Sequence, residues 1–166
     1  MFPDQTQALA RAVLDLARRC GWRIGAVESC TGGLVAAALT EIAGSSDVVE
    51  GGLVTYSNAL KTRLVGVHPS LLVEHGAVSE PVARAMAEGA LQTLDVEVAV
   101  AITGVAGPGG GSPDKPVGLV HFAVATRDGA TRGLVEHFGD IGRAQVRQAS
   151  VDAALKLLID RLSDER

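Results

Sequence analysis

Aromatic residues are scarce in this chain: three Phe, one Trp and one Tyr stand among 166 residues. A core with so few rings has to be closed by small and branched aliphatic side chains, and Ala, Val, Leu and Gly dominate. That composition suits helices lying close on a sheet. Cysteine is nearly absent as well. Cys20 and Cys30 are the only two, and with no export signal they read as free thiols of a reducing compartment. Cys20 falls on the apolar face of the first helix and is expected in the core. The histidines His68, His75, His121 and His137 show no zinc-type spacing with the cysteines, so no structural metal is expected. No apolar run reaches the roughly eighteen residues that span a bilayer. The amino terminus has no basic stretch leading into an apolar one. A cytoplasmic protein without a membrane segment is the expectation. Positive charge is not in excess either. The formal charge is −4, which excludes a broad basic footprint for nucleic acid.

The length fits one domain with a substantial core. Leu9, Val13, Leu16 and Cys20 recur at helical spacing, and Gly21 stops that helix. Arg23 to Val27 is the first strand, and Gly33 to Ile42 the second helix. Val48 to Tyr56 is the second strand, where the Gly51-Gly52 pair points to a bulge or a close backbone approach. Ser57 or Asn58 caps a short helix holding Leu60, Lys61 and Leu64. Pro69 to Glu74 is another short helix, and Ser79-Glu80-Pro81 opens a longer one ending by Leu94. Val96 to Ile102 reads as a strand buried on both faces. It leads into the glycine-rich loop Thr103–Gly111. Val117 to Thr126 and Thr131 to Phe138 form an antiparallel hairpin, with Asp128-Gly129 supplying a type I′ turn. The last helix follows Gly142, with Val151, Leu155, Leu158 and Leu162 on one face. No repeat or linker interrupts the chain. The order predicts an α/β fold: one three-layer α/β/α domain with a mixed, mostly parallel sheet and one antiparallel hairpin.

Three segments leave strands with polar or glycine-rich sequence: Glu28–Gly33, Tyr56–Lys61 and Thr103–Gly111. Ligands gather at the carboxyl ends of parallel strands. If those ends lie side by side, Ser29, Tyr56, Lys61 and Thr103 converge. In Glu28-Ser29-Cys30-Thr31-Gly32-Gly33, Ser29 is placed to attack a carbonyl, with unpaired N–H groups of a helix start beside it. The plainer role of Ser29 or Thr31 is a helix cap. The Cys30 thiol is the rival nucleophile, since helix starts lower thiol pKa values. It has no evident His–Asn partners, and Ser29 ranks above it. Lys61 is either a solvated helix lysine or the base of a Ser–Lys pair. As a base near neutral pH its reference value of about 10.4 would have to fall by roughly three units, about 4 kcal/mol. Tyr56 would orient it or relay a proton. The glycine loop, Ala106 and Gly107 included, either cradles an anion with its N–H groups or is a plain connection. Arg143 and Arg147, one turn apart at a helix start, either reach a phosphate or face solvent.

Taken together, Ala26–Gly33, Gly52–Lys61 and Ala101–Pro108 resemble the CinA carboxy-terminal domain family, whose enzymes are nicotinamide-nucleotide amidases. Lys115-Pro116-Val117-Gly118 and the Arg143/Arg147 segment are similar too, so the likeness spans about residues 5 to 162. It implies a three-layer α/β fold. It also implies hydrolysis of the carboxamide of nicotinamide mononucleotide to nicotinate mononucleotide and ammonia, without cofactor or metal. By position, Ser29 matches the nucleophile, Lys61 the base and Tyr56 an assisting tyrosine. Asn58, Thr103, Gly104 and Arg143 match pocket positions. An attacked amide needs donors for its oxyanion, and the N–H groups of Cys30, Thr31, Gly32 and Gly33 are the candidates. Asp140-Ile141-Gly142-Arg143 departs from the family's commoner Gly-Asp-Arg wording, leaving open which arginine faces the pocket. Longer members carry an additional amino-terminal domain, so this chain looks like the stand-alone form. The rival expectation is a non-catalytic nucleotide-sensing or competence-related interaction module using the same pocket. A homodimer is the expected assembly.

Overall fold

The computed structural model describes residues 1–165. Helix α1 (Asp4–Cys20) buries Ala10, Val13, Leu14, Leu16 and Ala17 and ends at Gly21, whose φ of 69° makes a left-handed cap. Strand β1 (Ile24–Glu28) follows, then helix α2 (Leu34–Thr40). A single 3-10 turn leads into β2 (Val49–Val54). Three helices come next: α3 (Asn58–Val65), α4 (Pro69–His75) and α5 (Glu80–Leu94). Strands β3 (Val98–Gly104), β4 (Leu119–Thr126) and β5 (Arg132–His137) precede the long helix α6 (Arg143–Ser163).

The sheet has the order β2-β1-β3-β4-β5. β1 pairs in parallel with β2 and β3, while β4 pairs antiparallel with both β3 and β5. Four of the five strands therefore run the same way, and β4 alone is reversed. Two apolar clusters cover the two faces. On one side α1, α2 and α6 pack on Ile24, Ala26, Val98, Val100, Ile102, Val120, Phe122 and Val124. On the other, α5 with α3 packs on Val27, Ala99, Ala101, Ala123 and Ala125. Alternating residues of each strand serve opposite layers, which is why β3 is apolar throughout. The expected three-layer fold is the one observed.

Several boundaries differ, each for a local reason. Cys20 is only half-buried at the rim of the core, its Sγ 3.6 Å from the Leu162 carbonyl oxygen. β3 runs on through Thr103 and Gly104 because both pair with β4. Both readings of the Gly51-Gly52 pair hold. The register slips by one residue at Glu50, and a Cβ on Gly52 would sit 2.6 Å from that of Ala36, so α2 lies directly on β2. The hairpin forms, but without the type I′ turn: neither Asp128 nor Gly129 has a positive φ. The β4–β5 ladder closes at Val124 and Arg132, while Ala125 and Thr126 stay paired to β3. That leaves a wide loop which the Asp-Gly signal alone does not describe.

Gly89 lets α3 reach its place. A Cβ there would sit 1.8 Å from the Val65 carbonyl oxygen at the end of α3. Gly89→Ala would gain about 1 kcal/mol of helix propensity in α5. The clash is with backbone and outweighs that gain. The variant should lose roughly 1–3 kcal/mol in urea unfolding; an unchanged or raised midpoint would show that α3 is free to shift.

Candidate active site

β1 delivers the chain to Ser29 at the carboxyl edge of the sheet, where α2 leaves toward β2 on one side and β3 lies on the other. That is the topological switch point of this sheet. The turn from Ser29 to Gly33 reverses direction through Gly32 and Gly33, with φ of 61° and 98°. These are values that only glycine adopts without strain. The Ser29 N–H is fixed to the Ile102 carbonyl at 2.9 Å.

Glu28 is what frees the turn. Its side chain is fully buried beneath the start of α2. Oε2 accepts from the Gly33 and Val35 N–H groups at 3.0 and 3.1 Å, and Oε1 from Ala36 at 2.9 Å. The cap therefore comes from the end of the strand, and neither Ser29 nor Thr31 caps the helix. A carboxylate does this better than a hydroxyl, because it accepts several N–H groups at the positive end of the helix. It also removes Gly33 from the free amides. Gly32 N–H is spent on the Ser29 carbonyl at 3.1 Å. Among the described residues, only the Cys30 and Thr31 N–H groups of this turn have no acceptor.

Lys61 enters from α3, whose cap is the Ser57 hydroxyl accepting from Leu60 N–H at 3.2 Å. The side chain is 1% exposed. Nζ donates to Ser29 Oγ at 2.9 Å, to the Thr55 carbonyl at 2.8 Å and to the Tyr56 carbonyl at 3.5 Å. No carboxylate lies within salt-bridge distance of it among the described residues. Burial pulls its pKa below the usual lysine value, against a smaller opposing influence of Cys30. The alternative of a solvated lysine is thus overturned. As a neutral amine, Nζ has two hydrogens for the two carbonyls and a lone pair for the Ser29 hydroxyl.

Cys30 behaves differently from a thiol at an open helix start. It is 6% exposed within the core. Burial pushes its pKa up to about 11, with its own amide lowering it, the Glu28 charge raising it, and Lys61 and Arg147 lowering it further. It is a protonated thiol near neutral pH and a poor nucleophile.

The remaining predicted residues are spread around this pair. Tyr56 is 61% exposed, and its hydroxyl is 3.4 Å from Arg143 Nη2, so only its main-chain carbonyl is hydrogen-bonded to Lys61. Arg143 also donates to the Gly107 carbonyl at 3.0 Å. Arg147, one turn on, donates to the Cys30 and Thr31 carbonyls at 3.1 and 2.9 Å. Asn58 is exposed at the first position of α3. The Thr103 hydroxyl is turned to the Ala77 carbonyl at 2.8 Å and does not meet the pair. Gly104 is demanded by packing, since a Cβ would sit 2.8 Å from the Leu119 carbonyl oxygen. Ala106 is buried in the core, and Gly107 (φ 78°) backs onto Val117. Among the described residues, no cluster of three or more His, Cys, Asp and Glu side chains is disposed to hold a metal ion, and no helix is long and apolar enough to cross a membrane. A cavity of about 610 Å³ between β5 and α6, lined by Leu134, Phe138, Ala153 and Leu157 among others, lies apart from Ser29 and Lys61.

Residues 6–162 match the family described as the CinA C-terminal domain. The chain belongs to the CinA C-terminal domain family. It is 51% identical over 156 residues to a CinA-like protein of Parasynechococcus marenigrum, covering 93% of this chain and 37% of that one. With a CinA-like protein of Mycobacterium leprae it shares 52% over 144 residues, covering 87% and 34%. The chain thus spans little more than a third of the length of these curated CinA relatives. The crystal structure of the competence/damage inducible protein CihA from Agrobacterium tumefaciens superposes with a TM-score of 0.95 at 48% identity, covering 98% of both chains. A CinA superfamily protein of Escherichia coli gives 0.85 at 33% identity, covering 97% and 94%.

Sequence reading missed Glu28 as the cap. The available signal was a lone carboxylate closing an otherwise apolar strand. Replacing it by the neutral isostere, Glu28→Gln, turns an amide N–H₂ toward the α2 amides and should cost roughly 1–3 kcal/mol. Faster hydrogen exchange at Gly33, Val35 and Ala36 should accompany the loss; unchanged exchange there would remove Glu28 as the cap. Lys61 makes a prediction about pH. Its folded pKa lies below the ordinary value of 10.5. The unfolded chain therefore binds the extra proton between the two values, and stability rises with pH across that window. Relative to Lys61→Met, the wild type should be least stable below the folded pKa and recover toward pH 10.5. A pH-independent difference in unfolding free energy would mean that the amine is not desolvated.

Proposed function

We propose that this site hydrolyses the carboxamide of nicotinamide mononucleotide, with Ser29 as nucleophile and Lys61 as base. The observation that carries the reading is a buried lysine amine, without a carboxylate partner among the described residues, 2.9 Å from a serine hydroxyl. A structural lysine has no need of that arrangement, and a pure binder gains nothing from it. The substrate assignment rests on the resemblance to the amidases of the family and on the charge at the rim. Arg143 is exposed and has no carboxylate within salt-bridge distance among the described residues, as suits a phosphorylated ligand.

In this reading Nζ of neutral Lys61 takes the Ser29 proton as Oγ bonds to the amide carbon. The carbonyl electrons move onto oxygen, where the free Cys30 and Thr31 N–H groups are the donors at hand. Collapse of the tetrahedral species breaks the C–N bond, and the protonated lysine delivers its proton to the leaving ammonia. A water then attacks the acyl ester with Lys61 again as base, releasing the carboxylate and restoring Ser29. Tyr56 belongs to the substrate side, beside Arg143. Cys30 contributes its amide and keeps its proton.

The test is ammonia release from nicotinamide mononucleotide by the purified chain, with chelator present. Wild type should turn over. Ser29→Ala and Lys61→Ala, with unchanged circular dichroism, should each fall by about 10⁴-fold or more. Wild-type rates in either variant would sink the assignment. Binding without turnover in the wild type would instead make the chain a nucleotide-sensing module.

A further inference from the structure

Arg143 and Arg147 share one face of α6, yet their guanidinium groups have different surroundings. Arg143 is exposed and reaches across to Tyr56 and Gly107. Arg147 is half-buried, and its fork closes on two consecutive carbonyls of the nucleophile turn: Nε on Cys30 O at 3.1 Å and Nη2 on Thr31 O at 2.9 Å. A peptide unit is planar and trans, so its N–H points opposite to its C=O. The unit whose carbonyl is that of Cys30 carries the Thr31 N–H. Holding the one oxygen therefore aims the other group away from α6. The preceding unit carries the Ser29 carbonyl and the Cys30 N–H, and it is held by Gly32 N–H at 3.1 Å. Both acceptor-free amides of the turn thus belong to peptide planes whose far side is already tied. One tie lies within the turn. The other is Arg147.

We infer that Arg147 is a positioning residue that sets the oxyanion donors. By holding the Cys30–Thr31 peptide from behind, it fixes the Thr31 N–H for the negative oxygen that develops when Ser29 attacks a carbonyl. The inference rests on Ser29 being the acylated nucleophile. A donor aligned in advance loses nothing to reorganisation at the moment of reaction. A guanidinium on the carbonyl also polarises the peptide, strengthening its N–H as a donor. Lysine cannot replace it fully. An ammonium is a point donor and does not span two carbonyls as a planar fork does. A Cβ on the neighbouring Gly32 would only touch Arg147 Nη2, at 3.4 Å, so what the turn asks of Gly32 is its φ of 61°.

The test uses Arg147→Ala and Arg147→Lys, with two readouts on each folded variant. One is steady-state hydrolysis of nicotinamide mononucleotide. The other is the rate at which a fluorophosphonate ester, whose reaction also develops charge on an oxygen, modifies Ser29. Arg147→Ala should lower kcat and the modification rate together by about 10²-fold, with KM changed less than threefold and the pH midpoint of the rate in place. Arg147→Lys should recover part of both. A rise in KM at constant kcat would make Arg147 a substrate-binding group and overturn the inference. So would wild-type modification rates in either variant, or lost thermal stability with full activity per folded molecule. If Arg147→Ala fails to fold, Arg147→Lys decides alone. Modification of wild-type Ser29 without hydrolysis of the mononucleotide would leave the Arg147 inference to the modification rates and sink only the substrate. No modification of the wild type would sink the nucleophile, and this inference with it.

Discussion

A lysine amine held out of water, 2.9 Å from a serine hydroxyl, is the constraint on which this structure depends. Burying an ammonium without a carboxylate beside it is costly, and a group in that position responds with a lowered pKa. The rest of the fold supplies the conditions. α3 must sit deep enough to carry Lys61 under the edge of the sheet, and the missing side chain at Gly89 allows that depth. β2 must end where the Thr55 and Tyr56 carbonyls can take the amine's hydrogens. β1 must end one residue before Ser29, and the pairing of the Ser29 N–H with Ile102 fixes that end. Stability is given up at one point, and three elements hold the point in place.

The nucleophile turn shows the same economy in its hydrogen bonds. A helix start offers several orphan N–H groups. Three amides near the start of α2 go to Glu28, which secures the helix from the strand side. The Gly32 amide closes the turn on itself. Among the described residues two remain, on Cys30 and Thr31, immediately after the Ser29 hydroxyl. Had Ser29 or Thr31 been the cap, a hydroxyl would have been committed to the helix. The carboxylate leaves Ser29 with Lys61 as its hydrogen-bond partner. It also adds a negative charge near Cys30, which joins burial in keeping that thiol protonated. Two adjacent residues with nucleophilic atoms are thereby driven apart in reactivity by their surroundings.

Much of this was legible in the sequence. The element order follows from periodicity, and the three strand ends that carry chemistry stand out by their glycines and hydroxyls. The convergence of Ser29 and Lys61 follows from placing those ends together, sharpened by the likeness to a known family. What was not legible is long-range. Glu28 reads as the last residue of an apolar strand, and its partners, five to eight residues on, match no local capping pattern. Cys30 at a helix start invites a lowered pKa, and only the packing around it reverses the sign. The Asp128-Gly129 signal gives the hairpin its place. It does not give the turn its type, because β4 continues along β3 beyond the end of its pairing with β5. Thr103 and Gly104 look like loop residues, and pairing across to β4 makes them strand.

The two arginines of α6 carry the last step. Their spacing of four residues puts both on one face, so sequence leaves their roles exchangeable. Position along the helix decides between them. Arg147 lies beside a residue of the core, Val146, and its fork is used on main-chain carbonyls of the turn. Arg143 lies at the exposed amino end, beside the glycine loop and the Tyr56 hydroxyl. The same helix thus spends one cation on the main chain of the Ser29 turn and leaves the other exposed beside the glycine loop. In a chain of net charge −4, both guanidinium groups stand at this edge of the sheet without a carboxylate within salt-bridge distance among the described residues, while the Glu28 carboxylate beneath the same turn is spent on three amides.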